Sequence, residues 1–180
     1  MRVISGCARG VRLKTPEGLK TRPTADRVKE AMFSIIQFDL PGAKVLDLFG
    51  GTGQLGVEAL SRGASSAVFI DESDRACKLI KENLHLAKFS EKGRVIRSDY
   101  MSFLKNAAEK FNIIFLDPPY AEVFLENSLK IITEIDILQS GGIIVTERPL
   151  GKELPWNFHG FLRSKDYKYG GTLLTIYRKE

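Results

Sequence analysis

The chain has 180 residues, 43% hydrophobic and 27% charged, with a net charge of +5. This length and balance suit one domain with a substantial core, and they exclude wholesale disorder. No apolar run approaches a membrane span and no apolar signal core follows Met1, so a cytoplasmic protein is expected.

Met1–Pro16 alternates apolar and polar residues around Ala8-Arg9-Gly10, which predicts a short β-hairpin, a candidate flap. This stretch holds four cations (Arg2, Arg9, Arg12, Lys14) and no anion. Residues 1–40 carry eight basic and four acidic side chains, and residues 151–180 carry six and three. The basic excess therefore sits at the two ends, which fits a polyanionic partner or a basic solvated surface. Thr24 is an expected N-cap, with Val28, Met32, Ile35 and Ile36 at helical spacing and an expected end near Asp39.

From Lys44 onward, strands alternate with helices. Strands are expected at Lys44–Phe49, Ala67–Ile70, Arg94–Arg97, Asn112–Leu116 and Gly142–Glu147. Helices are expected through Arg62, over Ser73–Ala87, around Ser102–Ala108 and across Val123–Ile135. Phe161–Tyr167 and Thr172–Arg178 read as a terminal antiparallel pair. The pattern predicts an α/β fold with a doubly wound, mostly parallel sheet. Residues 1–40 would form a basic extension and 41–180 the core of a single domain. Cys7 and Cys77 lack metal spacing and are expected to be reduced thiols. His85, His159 and Trp156 have no partners at chemical spacing, so no metal is expected.

Ligands of such sheets bind at the carboxyl ends of the strands. Asp47-Leu48-Phe49-Gly50-Gly51-Thr52-Gly53 follows a strand and precedes a helix. Glycines there allow a tight turn and a close backbone approach, and helix amides face the ligand. No lysine follows, so this is not a phosphate-binding loop; a dinucleotide remains open, because Gly51, Gly53 and Gly56 come near that spacing. Asp71 ends the second strand and suits ribose hydroxyls, although an N-cap is the alternative and Ser73 is an equally good cap. Asp99 ends the third strand and could accept from an adenine amino group or cap the next helix. Asp117-Pro118-Pro119-Tyr120 is the most specific segment. Two prolines stiffen the loop and leave carbonyls free. Asp117 and the Pro118 carbonyl can accept N–H bonds from a planar amine and turn its lone pair toward a methyl donor. Tyr120 can stack on a base. Adenine N6 and guanine N2 both satisfy this chemistry.

Together Asp47–Gly53, Asp71, Asp99 and Asp117–Tyr120 resemble the class I S-adenosylmethionine (SAM) methyltransferases. Arg2–Gly6 with Arg9-Gly10, Thr21–Glu30 and Gly53–Gly63 resemble the bacterial RsmD family. The family often has Ala or Ser in the glycine turn and Glu at the ribose position, where this chain has Gly50-Gly51-Thr52 and Asp71. The resemblance implies a Rossmann-like, seven-stranded sheet with an antiparallel C-terminal strand and the N-terminal hairpin and helix. It implies methylation of guanine N2 in 16S ribosomal RNA, at the position called guanine 966. SAM would be held by Asp47, Phe49, Gly50, Gly51, Gly53, Asp71, Glu72, Asp99 and Tyr100. The reacting amine would be held by Asp117, Pro118, Pro119 and Tyr120. Arg9, Arg12, Arg22 and Arg27 are the expected phosphate contacts, with pairing of Arg22 and Arg27 to Asp26 or Glu30 as the structural alternative. The expected substrate is a small-subunit assembly intermediate and the expected state a monomer. An adenine-N6 methyltransferase and a non-enzymatic RNA-binding module are the rival readings. A protein-glutamine methyltransferase is less compatible, because those carry Asn-Pro-Pro-Tyr.

Overall fold

The computed structural model describes residues 1–16, 23–118, 121–151, 154, 157–158 and 160–180; the side chains of 23–25, 121–123 and 157–158 lie outside the description. Arg22, Pro119, Tyr120, Trp156 and His159 therefore fall outside the described residues.

Helix α1 spans Pro23–Ile35. It begins one residue before the expected cap at Thr24, with proline at a first helical position, where its missing N–H is no loss. It stops at Ile35, short of Asp39, and turns through Asp39 N–H to the Ile36 carbonyl. The alternation that follows is β1 (Lys44–Asp47), α2 (Gln54–Ser61), β2 (Ser66–Asp71), α3 (Asp74–Leu86), β3 (Gly93–Arg97), α4 (Tyr100–Lys105), β4 (Phe111–Leu116) and α5 (Ala121–Ile135). β5 (Leu138–Pro149), β6 (Asn157–Phe158), β7 (Phe161–Tyr169) and β8 (Thr172–Lys179) complete the chain. The strand order is β3-β2-β1-β4-β5-β8-β7-β6. β1 to β5 are mutually parallel, and β8 joins β5 antiparallel. These are the seven expected strands; the eighth, β6, is a two-residue strand paired to β7. Its length is too short for a period-two pattern to register.

β1, β2 and β4 are nearly continuous runs of buried residues, as a parallel sheet covered on both faces requires. One face packs Phe69, Phe115 and Val145 against α1, α2 and α3; the other packs Leu46, Ile114 and Ile144 against α4 and α5. The order reverses between β1 and β4, so the ends of these two strands frame the crevice where a ligand binds.

The N-terminal hairpin reduces to a bridge between Arg2 and Arg12, with Val3 N–H donating to Val11 and Leu13 N–H to Met1. It is not a free flap. Val3, Ala8 and Leu13 are buried, and Ile4 and Ser5 donate their N–H groups to the Glu58 carboxylate on α2, at 2.8 and 3.0 Å. Gly6 has φ +85°, and a Cβ there would stand 1.8 Å from the Ser61 carbonyl oxygen, so only glycine lets the segment lie this close to α2. Among the described residues no helix is long and apolar enough to cross a membrane.

Candidate active site

The carboxyl ends of β1, β2, β3 and β4 open into one cavity of about 730 Å³. Asp47, Phe49, Gly50, Gly51, Asp71, Glu72, Asp99 and Tyr100 line it, together with Asp117 and Pro118. Eight of the nine residues expected to hold the cofactor thus meet on one wall, with both described members of the Asp-Pro-Pro-Tyr loop beside them. Gly53 stands behind the wall as the N-cap of α2, at φ 76°. That left-handed conformation, and Ile80 3.0 Å from any added Cβ, suit glycine there.

Asp71 organises the turn. One carboxylate oxygen accepts from Gly51 N–H and the other from Ser73 N–H, both at 2.9 Å. Each oxygen keeps a lone pair for a ligand. Ser73 itself caps α3, accepting from Ala76 N–H at 3.3 Å, which leaves Asp71 free of the capping role. Asp99 is a helix cap as well as a wall residue. One of its oxygens accepts from Ser102 N–H at 2.9 Å, and that bond holds its carboxyl below the usual range. The second oxygen remains available at the cavity. Capping α4 and lining the cavity are compatible, because the cap uses only half of the carboxylate.

Asp47 is fully buried at the end of β1, and its side chain accepts from Gly56 N–H at 3.3 Å. Burial pushes its carboxyl up to about 8, and Asp117 and Asp71 add to the rise. It braces the turn through Gly56 N–H, and burial favours its protonated form. Asp117 ends β4, and burial raises its carboxyl to about 6. Among the described residues no group of three potential ligands is placed to hold a metal ion.

Sequence reasoning did not single out the ring cluster. Phe49 and Tyr100 lie 5.4 Å apart, and Phe124 stands edge-on to Tyr100 at 5.6 Å. Phe124 and Met101 are exposed at the rim and line the cavity. Phe124 follows the Asp-Pro-Pro-Tyr loop by one helical turn, a spacing that could have flagged it.

Three of the four expected RNA contacts lie among the described residues. Arg9, Arg12 and Arg27 are exposed and form no ion pair with any described residue, so Arg27 does not brace Asp26 or Glu30. The segment carrying Arg9 and Arg12 runs along α2, with Ala8 bonded to Ser61 at one end and Lys14 beside the glycine turn at the other. Lys14 N–H donates to Asn83, whose amide nitrogen donates to the Thr52 carbonyl at 2.8 Å. His85 is an exposed residue in the last turn of α3.

Comparison with known proteins agrees with this architecture. The family model described as conserved hypothetical protein 95 matches residues 1–178. The Bacillus subtilis protein YlbH is 41% identical over 182 residues, covering 99% of both chains. The Escherichia coli protein named ribosomal RNA small subunit methyltransferase D is 38% identical, covering 88% of this chain and 82% of its own. The solved structure of Escherichia coli yhhF superposes with a TM-score of 0.90 at 29% identity, covering 100% of this chain and 98% of that one. The chain belongs to the conserved hypothetical protein 95 family, the RsmD family that its motifs resemble.

Proposed function

We propose that this protein is a SAM-dependent methyltransferase that methylates the exocyclic N2 of a guanine in 16S ribosomal RNA. The observation that carries the reading is the shared wall: Asp117 and Pro118 line the same cavity as the glycine turn and Asp71. A base-amine clamp beside a nucleoside site is what methyl transfer to an amine requires. The relatives' names point to ribosomal RNA of the small subunit as the substrate class.

The residues present fit the cofactor. A cavity of about 730 Å³ is of the size that holds a molecule of this kind. The free lone pairs of Asp71 suit ribose hydroxyls, and the second oxygen of Asp99 suits the adenine amino group. Phe49, Tyr100, Ile70 and Phe124 form an apolar slot for a purine ring. Gly50, Gly51 and Gly53 let the backbone approach the amino-acid part, with Glu72 at the rim. The bound cofactor supplies an electrophilic methyl group.

The chain's own part is positioning. The target guanine would be extruded from its RNA context. Asp117 and the Pro118 carbonyl would each accept an N–H of the amine, which holds its lone pair toward the cavity. Pro119 would stiffen the loop and Tyr120 would stack on the base. Arg9, Arg12, Arg22 and Arg27 would contact phosphates. The chain would act as one domain, residues 1–40 as basic extension and 41–180 as core. It would work as a monomer in the cytoplasm, on a small-subunit assembly intermediate.

The test is transfer of labelled methyl from SAM to small subunits, free 16S rRNA and DNA, followed by nucleoside analysis. N2-methylguanosine in ribosomal RNA is expected. N6-methyladenosine, or label in DNA, would overturn the reading. Asp117→Ala should lower transfer by at least about 100-fold, the scale of one lost transition-state hydrogen bond, with SAM affinity near wild type.

A further inference from the structure

Strand pairing sets a second carboxylate beside Asp117. β4 and β5 run parallel with Leu116 opposite Thr146, so Asp117, just past the end of β4, stands beside Glu147, two residues before the end of β5. They continue one face of the sheet, because Phe115 and Val145, two residues earlier, share the cluster under α1, α2 and α3. Glu147 is partly buried. It forms no hydrogen bond or ion pair with any described residue. Burial and the charge of Asp117 push its carboxyl up to about 7. A half-buried carboxylate without a partner is destabilising, and a donor from outside the chain would relieve it.

The position of this residue relative to the cavity is informative. The cavity spans the ends of β3, β2, β1 and β4, with Asp117 at its edge. β5 lies on the opposite side of β4. A base whose amine sits at Asp117, with its methyl donor in the cavity, therefore extends toward Glu147 on β5.

We propose that Glu147 accepts the N1–H of the target guanine while Asp117 accepts from its N2 amine, so that the pair of neighbouring carboxylates selects guanine over adenine. This rests on the base-amine reading above. Guanine presents N1–H and N2–H as adjacent donors on one edge, and two adjacent carboxylates match them. Adenine presents a bare N1 lone pair next to its amine, and that lone pair would face the oxygens of Glu147 with no proton between them. A site built to receive an N–H rejects an analogue that lacks it far more strongly than a site that merely fits its shape.

The experiment uses the full chain and a 16S rRNA fragment around the position called guanine 966. The fragment carries either guanine or 2-aminopurine at that position. 2-Aminopurine keeps the N2 amine and replaces N1–H by a lone pair. Affinity is measured by competition without SAM, and methyl transfer is measured with it. Wild type should favour guanine by at least about 30-fold in both. Glu147→Gln presents an amide that can accept from N1–H or donate to bare N1, so the preference should fall to less than about threefold. Glu147→Ala, which removes the acceptor, should also narrow it. Melting of each variant near or above the wild-type temperature shows that the fold is intact. A guanine preference that survives in Glu147→Gln overturns the assignment to Glu147. A wild type that prefers guanine yet transfers no methyl leaves Glu147 standing and overturns the methyltransferase reading instead.

Discussion

Asp47 is a carboxyl buried among strand ends, with the backbone N–H groups of Gly56 and Phe49 for company and two other acids nearby. Its raised proton affinity has a consequence for stability. In the unfolded chain the group ionises near 3.8, and in the folded chain near 8. Between these values the folded state holds the extra proton, so stability is greatest below the lower value and declines as pH rises through the upper one. Wild type should therefore melt at a lower temperature at pH 9 than at pH 6. Asp47→Asn keeps an oxygen for Gly56 and carries no ionisable group, so its melting temperature should vary less over the same range. An unchanged slope would mean that Asp47 is ionised in the folded protein. Asp117 has the corresponding consequence for activity. Its carboxyl lies near 6, and protonation removes one acceptor for the amine, so kcat/KM should fall as pH drops through about 6. An activity flat from pH 8 to 5 would count against Asp117 as the amine acceptor.

At the scale of elements, α2 is the anchor for the N-terminal segment. Glu58 has no exposed surface and accepts from Ile4 N–H, Ser5 N–H and Arg62 Nε, with Lys29 Nζ at 3.8 Å. One carboxylate thus joins the first residues and α1 to α2. Lys29 is 4% exposed and donates to the Arg2 carbonyl at 3.0 Å. Removing Glu58 leaves a buried ammonium and two backbone N–H groups short of an acceptor. Glu58→Ala should destabilise by about 3 kcal/mol or more and open the first residues to limited proteolysis. Glu58→Gln should be milder, because it retains an acceptor. A variant as stable and protease-resistant as wild type would show that the segment is held by Val3, Ala8 and Leu13 alone.

This anchor also shows where sequence reasoning reaches its limit. The alternation of β1 to β5 with α2 to α5 was legible because buried strands and amphipathic helices impose their own periods. The glycine turn, Asp71 and Asp117 were legible because strand ends carry chemistry in a doubly wound sheet. Two of the partners of Glu58, Ile4 and Ser5, lie 54 and 53 residues away, and no local period encodes them. Glu147 was invisible for the same reason: its meaning comes from the register of β5 against β4, and Val145-Thr146-Glu147-Arg148 by itself reads as the end of a strand. Phe124 belongs to a ring cluster assembled from the turn after β1, α4 and α5.

Over the whole molecule, the placement of charge matters more than its sum. The N-terminal segment, residues 1–16, holds four cations and no anion; its Lys14 end lies beside the glycine turn, and its Arg9 end lies against Ser61 at the far end of α2. Arg9 and Arg12 are exposed and unpaired among the described residues, which leaves their full charge for an external anion. Phosphates gathered there would orient a bound RNA over the strand ends without reading its sequence. Each neutralised phosphate releases a counterion, so about four contacts give a slope near −3 in the logarithm of affinity against the logarithm of salt. Arg9→Gln and Arg12→Gln should each reduce that slope by about 1 and weaken binding of all RNA sequences alike, with the preference for the target base unchanged. The measurement is RNA affinity at several salt concentrations for wild type and both variants. Slopes that stay equal would move the phosphate contacts away from the N-terminal segment, and the remaining basic excess, over residues 151–180, would become the surface to test.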